Sequence, residues 1–350
     1  LTKVATMTNR NRLIANFLKY HGWNKASRLP LANDASFRRY ERLVDGTRRA
    51  ILMDAPPQKE DVGPFIYIAR LLSKLGYSVP NIKAADSKNG LLLLEDFGDE
   101  TYTRLLNNLP QKPTEQELYA MAIDLLIDLH RRSNSETLPQ DLPPYNEDCL
   151  LEEVLLFTDW YMPAVLNHKI DLRCRNSYID AWQKILIPIL EAEPTLVLRD
   201  YHVDNLVWLP ARSGVAACGV LDFQDAVAGH RGYDLISLLE DARRDITHDL
   251  REGMMYRYLH AQSNFTEQIG TEEKFRRDCT ILAAQRHSKV IGIFTRLSLR
   301  DAKNDYLLHI PRVWALLETA LQHHALSPLA DWMAEYLPLE LRVAPTQDRK

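Results

Sequence analysis

The period of apolar residues switches several times along the chain. Residues 12–20 set Leu13, Ile14, Phe17 and Leu18 on one side of a helix that Gly22 ends, so a short amphipathic helix opens the pattern. Residues 37–43 and 49–53 are strand candidates, joined by Val44-Asp45-Gly46-Thr47, whose Asp-Gly pair marks a hairpin, and Pro56-Pro57 ends the second strand. Residues 61–75 return to helical spacing through Ile66, Ala69, Leu72 and Leu75, with Gly76 behind. Residues 79–85 and the all-apolar 91–94 are expected as further strands of the same small sheet. The first part of the chain is thus a helix-decorated antiparallel sheet.

Beyond Gly98 the spacing becomes helical over long stretches. Residues 115–132 give the clearest case, carrying Leu118, Met121, Ala122, Leu125, Leu126 and Leu129 behind Thr114 as N-cap. Residues 150–167, 176–190, 235–262, 271–295 and 310–323 are expected as helices too. Short strands at 196–198, 205–209 and 215–221 interrupt them. The pattern is an α+β chain in two lobes, residues 1–96 and 97–350, joined near residues 95–98. No internal repeat is found.

Composition narrows the classes of partner. A chain of 350 residues is long enough for two cores, and its formal charge of -4 with a pI near 6.3 gives no global attraction to nucleic acid or anionic lipid. Neither nucleic acid nor membrane is therefore expected as a partner. Cys149, Cys174, Cys218 and Cys279 are far apart and form no C-x-x-C pair, which suits reduced thiols in a cytoplasm rather than disulfides or a zinc ribbon. No apolar run approaches the roughly 20 residues that span a bilayer, and residues 1–9 lack the core of a signal peptide. Leu1 precedes Met7, a start expected of either an alternative initiation or an introduced boundary.

The chemistry concentrates between residues 198 and 225. Leu198-Arg199-Asp200-Tyr201-His202-Val203-Asp204-Asn205 is followed, after one hairpin's length, by Leu221-Asp222-Phe223-Gln224-Asp225. An Asp with an Asn five residues on, then an Asp closing an apolar strand, matches the order of a kinase catalytic loop and its metal-binding Asp. Phosphoryl transfer needs a carboxylate to orient the acceptor hydroxyl, and hard oxygen ligands for magnesium. Asp200 takes the first role, and Asn205 and Asp222 the second. His202 with Asp204 is an alternative as transition-metal ligands, but no second His or Cys pair lies nearby in sequence. His202 is expected instead to brace the loop.

These residues resemble those of the aminoglycoside phosphotransferase and choline kinase superfamily, and the resemblance covers nearly the whole length. It implies a protein-kinase-like two-lobe fold with a small β-rich lobe and a larger helical one. It also implies ATP and Mg2+ as cofactors, and the roles given above for Asp200, Asn205 and Asp222. Arg231-Gly232-Tyr233-Asp234-Leu235 resembles the family's Gly-x-x-x-Asp-Leu segment, which implies that Asp234 supports the catalytic loop from below.

Several segments look closer to the bacterial anomeric kinases that phosphorylate N-acetylmuramate and N-acetylglucosamine in peptidoglycan recycling. They are Asp34-Ala35-Ser36-Phe37-Arg38-Arg39-Tyr40, Met53-Asp54-Ala55-Pro56-Pro57, Leu156-Phe157-Thr158-Asp159-Trp160-Tyr161, the Arg199 to Asn205 loop, and Gln285-Arg286 through Gly292-Ile293-Phe294-Thr295-Arg296. A monomeric cytoplasmic sugar kinase is the expectation. A kinase for another hydroxyl (aminoglycoside, choline or homoserine) and a catalytically silent scaffold stay open as alternatives.

Two departures stand out. The nucleotide segment 33–40 contains no Gly, leaving Ser36, Phe37 and Arg38 to meet the nucleotide, with Glu95 at the end of the joining strand. Met53 occupies the place where most kinases carry the phosphate-binding Lys; Arg38 or Arg39 is the candidate replacement charge. For a sugar acceptor the candidates are Asp204, Glu152, Asp159, Trp160, Tyr161 and Arg300, with Arg243-Arg244 or Arg300 available for a carboxylate.

Overall fold

Nine strands are described: β1 (Ser27–Pro30), β2 (Arg39–Asp45), β3 (Arg48–Asp54), β4 (Ile82–Asp86), β5 (Leu91–Leu94), β6 (Thr195–Val197), β7 (Leu206–Trp208), β8 (Cys218–Val220) and β9 (Val227–Gly229). They belong to a computed structural model that describes residues 2–31, 37–108, 113–132, 134–261 and 271–346. By packing, the chain forms two compact units, Leu1–Met121 with Asp204–Asp225, and Ala122–Val203 with Ala226–Lys350. The division falls inside the helix Glu115–Arg131.

In the first unit, five strands pair antiparallel in the order β1-β2-β3-β5-β4. The Asp-Gly hairpin forms as the pattern predicts: Asp45 pairs with Arg48, and Gly46 takes the left-handed φ of 61° that a two-residue turn requires. Strand β1 was not anticipated, because all four of its residues are exposed and nothing in its pattern alternates. The opening helix runs Thr2–Tyr20, well beyond the expected 12–20. Its Ile14, Phe17 and Leu18, with Trp23, cover Leu43, Ala50, Leu52, Leu91 and Leu93 of the sheet.

A second helix, Gly63–Lys74, begins with Pro near its N-terminus and buries Phe65, Ile68, Ala69 and Leu72. The buried face is thus centred one position away from the expected Ile66. Strands β7 and β8 form a hairpin within this unit, bridged to Ser78 through Gly219. Thr114 caps the helix Glu115–Arg131 as expected. Its hydroxyl accepts from the Glu117 amide at 3.3 Å, while the Glu117 carboxylate accepts the Thr114 amide at 2.7 Å.

The second unit is helical around one large core that includes Phe157, Tyr161, Tyr178, Trp182, Trp314 and Trp332. Strands β6 and β9 pair antiparallel within it, and β9 was not anticipated. The expected single helix 235–262 is two, Gly232–Leu239 and His248–Ala261. Between them the Asp241 carboxylate accepts the Arg243 amide at 2.8 Å and the Thr247 hydroxyl accepts the Leu250 amide at 3.2 Å. Short polar side chains that bond nearby backbone stop one helix and cap the next, a signal the apolar periodicity conceals.

The segment expected as the helix 150–167 also departs from regularity. The helix Glu147–Leu156 widens into a π-helical turn over Phe157–Tyr161 before resuming at Met162–Leu166. Against that turn lies Gly292 of the long helix Glu272–Asp301. A Cβ at Gly292 would stand 2.3 Å from the carbonyl carbon of Leu156, so only glycine permits the two backbones to approach this closely. Among the described residues, no helix is long and apolar enough to cross a membrane.

Candidate functional site

The motif residues divide between the two units. In the second, strand β6 runs into Leu198 and a tight turn in which the Asp200 amide donates to the Leu198 carbonyl at 2.9 Å. Arg199 adopts a left-handed φ of 68°, costly for a residue with a side chain. Partners hold it there. Asp234, fully buried on the helix Gly232–Leu239, accepts the Leu198 amide at 2.7 Å and the Arg199 amide at 2.9 Å, and the Ser237 hydroxyl donates to the Arg199 carbonyl at 3.3 Å. Burial pushes the Asp234 carboxyl up to about 7, against the two amide bonds that favour its charge.

Asp200 itself is half-buried, and its carbonyl accepts the His202 amide at 3.1 Å. Tyr201 points inward and donates to the Ala122 carbonyl at 2.8 Å; His202 is buried.

Beside this turn lies a charge cluster that sequence reasoning did not single out. Glu153 is buried and accepts from Lys289 at 2.7 Å, from Gln285 at 2.9 Å, and from the Arg199 guanidinium and Tyr145 hydroxyl. Burial alone would raise its carboxyl, yet Lys289 and Arg199 pull it down to about 2. Lys289 also donates to the Tyr233 hydroxyl at 3.2 Å. Burial works against its charge, but Glu153 outweighs that and holds the ammonium above its ordinary value. The available signal was a lysine in a strongly helical segment, four positions after Gln285 and directly before the apolar Val290 and Ile291.

In the first unit, the β7–β8 hairpin sets Asn205 opposite Leu221, whose amide donates to the Asn205 carbonyl at 2.8 Å; Asp222 follows at once. Asp222 has a left-handed φ of 54°, which Asp tolerates better than most residues. Its Oδ1 accepts from the Gln224 side-chain Nε2 at 3.0 Å and lies 3.7 Å from Arg38, while the same Nε2 donates to Asp225 at 3.0 Å. Phe223 is fully buried, its ring 5.0 Å from that of Phe65.

Arg38 also lies 3.7 Å from Glu60. Burial disfavours its charge, but Tyr40, Asp222, Glu60 and Asp225 outweigh burial and hold the guanidinium above its ordinary value. Burial, with Asp222 adding and Arg38 opposing, pushes the Tyr40 hydroxyl up to about 12. Met53 is fully buried on β3, paired with Tyr40 and Leu92. Among the described residues no three His, Cys, Asp or Glu side chains gather as a metal site. The donors the hairpin does offer are one carboxylate and one amide, both hard oxygens of the kind magnesium takes.

Ser36 lies outside the described residues. Phe37 is exposed, with the Lys59 ammonium 4.1 Å from its ring. Glu95 is tied to Arg212 at 2.6 Å and Asn81 at 2.7 Å. Asp204 accepts from the Thr103 hydroxyl.

In the second unit, Glu152 faces solvent one position before the buried Glu153. Asp159 pairs with Arg175 at 3.0 Å and Arg300 with Asp301 at 2.7 Å, both at the surface. Trp160 is half-buried in the π-helical turn. Tyr161 is a core residue whose hydroxyl accepts from the Trp314 indole at 2.9 Å. Arg243 lies 5.7 Å from the Phe294 ring and 5.9 Å from that of Tyr306.

Known proteins resemble the chain along most of its length. A sequence profile of the phosphotransferase enzyme family (APH) matches residues 27–272. An N-acetylmuramate/N-acetylglucosamine kinase of Caulobacter vibrioides is 34% identical, with 96% of this chain and 99% of that one covered. A protein of the same description from Pseudomonas aeruginosa is 36% identical over 86% of each chain. Among solved structures, choline kinase LicA from Streptococcus pneumoniae superposes with a TM-score of 0.62 at 12% identity, covering 90% of this chain and 100% of that one. The ADP-bound aminoglycoside phosphotransferase APH(2'')-Ib superposes with a TM-score of 0.54 at 16% identity, covering 89% and 98%. At such identities the structures speak for the fold, the protein-kinase-like α+β class that the sequence led one to expect.

Proposed function

The chain belongs to the phosphotransferase enzyme family, and we propose that it moves the γ-phosphoryl group of ATP to the anomeric hydroxyl of N-acetylmuramate or N-acetylglucosamine, releasing ADP and a sugar 1-phosphate. The observation that carries the reaction class is the Asp200 turn, pinned by the two amide bonds to Asp234 at the end of strand β6. The acceptor rests on the likeness to kinases of these sugars.

In this reading the Asp200 carboxylate accepts a hydrogen bond from the acceptor hydroxyl and takes its proton as the phosphoryl group moves. Asn205 and Asp222 hold magnesium, which neutralises charge on the phosphates when bound. Arg38, beside Asp222, supplies the positive charge that Met53 cannot. Phe37, Ser36 and Glu95 belong to the nucleotide side. Asp204 heads the sugar contacts, with Glu152, Asp159, Trp160 and Arg300 behind it. His202 and Asp234 support the loop. Positioning and charge neutralisation would carry most of the rate. The reaction is placed in the cytoplasm, where ATP and recovered cell-wall sugars meet, and the working form is taken as a monomer.

An Asp200→Ala variant tests the assignment. It is expected to lose turnover on both sugars while still binding ATP, with NMR of the wild-type product showing phosphate on C1. Turnover near the wild-type level in Asp200→Ala would remove Asp200 from the chemistry.

A further inference from the structure

The turn that presents Asp200 is held at its backbone by Asp234 and Ser237, yet the strained residue inside it, Arg199, has a side chain anchored elsewhere. Its guanidinium reaches Glu153 and lies 5.4 Å from the Tyr145 ring. Glu153 is shared with Lys289 at 2.7 Å, and Lys289 is fixed in turn by the Tyr233 hydroxyl at 3.2 Å. Two cations and one carboxylate, with only 11% of the Glu153 and Lys289 side chains exposed, are costly to bury. Apolar side chains of similar volume are often at least as stable in such a place, so stability is weak grounds for burying three charges there.

We propose that Glu153, Arg199 and Lys289 are a clamp of positioning residues that aims the Asp200 carboxylate at the acceptor hydroxyl. Glu153 draws on Arg199 from the helix Glu147–Leu156, and Lys289 fixes Glu153 from the helix Glu272–Asp301. This load holds Arg199 in a left-handed conformation that a residue with a Cβ otherwise leaves. Relaxation of φ at Arg199 would rotate the next peptide and swing Asp200 with it. The Asp200 charge is felt at both cations, so the clamp adjoins the carboxylate it aims. None of the three residues need touch substrate. The inference rests on the phosphotransfer reading of Asp200.

The test compares Lys289→Met, Lys289→Arg and Arg199→Gly with the wild type, using ATP with N-acetylmuramate and N-acetylglucosamine. In Lys289→Met, kcat is expected to fall about 10- to 100-fold, the scale of a small misplacement of a reacting group, with both KM values within about twofold. Lys289→Arg should recover most of the rate. Arg199→Gly cuts the clamp at its other end: glycine tolerates the positive φ but visits many other conformations as readily, so the turn is no longer held in one of them and kcat should fall on the same scale. Wild-type kcat per folded molecule in Arg199→Gly, or losses that only track the folded fraction, would overturn the clamp.

If the wild type phosphorylates neither sugar, the acceptor reading fails, and deuterium exchange of the amides at 198–203 decides the clamp by itself. Exchange there about 10-fold faster in both Lys289→Met and Arg199→Gly supports it, since opening of the turn is what the clamp suppresses. Unchanged exchange refutes it.

Discussion

Replacing Gly292 by alanine tests whether a single close helix contact sets the geometry of the second unit. The new Cβ would lie 2.3 Å from the Leu156 carbonyl carbon, 2.5 Å from its oxygen and 2.6 Å from the Phe157 amide nitrogen. Carbon atoms rest about 3.5–4.0 Å apart, so the helices must part by about 1 Å or more. All three atoms are backbone, and no rotamer change relieves them. Overpacking of this kind costs about 1–3 kcal/mol, and here the upper end applies.

Alanine returns about 1 kcal/mol through its helix propensity. A net loss near ~2 kcal/mol corresponds to a fall of roughly 4–8 °C in melting temperature. Gly253, in the helix His248–Ala261, is the matched control: nothing lies within 4 Å of its Cβ position. Gly253→Ala should therefore gain about 0.5–1 kcal/mol. Thermal and urea denaturation of both variants measure the difference. Because Glu153 and Lys289 sit on the two helices that would separate, Gly292→Ala should also lower kcat. If Gly292→Ala melts at or above the wild type, in step with Gly253→Ala, the close-contact argument is wrong.

Stability should respond to pH at two places. Glu153 titrates near 2 in the folded protein and at about 4.3 unfolded, so its contribution of about 3 kcal/mol is complete above the unfolded value and lost as pH falls towards 2. Asp234 acts in the opposite sense. With its folded value raised to about 7, the native state holds the extra proton, and stability declines as pH rises from about 4 to 7. Urea midpoints across pH for the wild type and Glu153→Gln check the first effect, and an unaltered acid slope in the variant would contradict it. Arg38→Ala should raise the KM for ATP about 10-fold, the value of one charge-assisted bond, and leave the sugar KM in place. An unchanged nucleotide KM, measured by ADP release, would put the phosphate-binding charge elsewhere.

Much of this protein is written locally. The Asp45-Gly46 turn, the Thr114 cap with Glu117 and the apolar run of β5 are properties of a few neighbouring residues, and each took the form its local chemistry dictates. The order Asp200, Asn205, Asp222 is likewise linear information, and it was enough to point to phosphoryl transfer. The edge strand β1 and the break after Gly232–Leu239 were not legible, because exposed pairing leaves no apolar period and side-chain capping hides beneath one.

What tertiary structure decided is which charges are buried together. Glu152 and Glu153 are indistinguishable in composition and adjacent in sequence, yet about 100° of helix rotation leaves one in solvent and folds the other beneath Arg199 and Lys289. Asp159 and Arg300 look no different in the sequence, and folding gives each an oppositely charged partner at the surface. An ion's role depends on its desolvation and its partners. Those are set by residues such as Lys289, 136 positions from Glu153 along the chain, and only folding brings them within 2.7 Å.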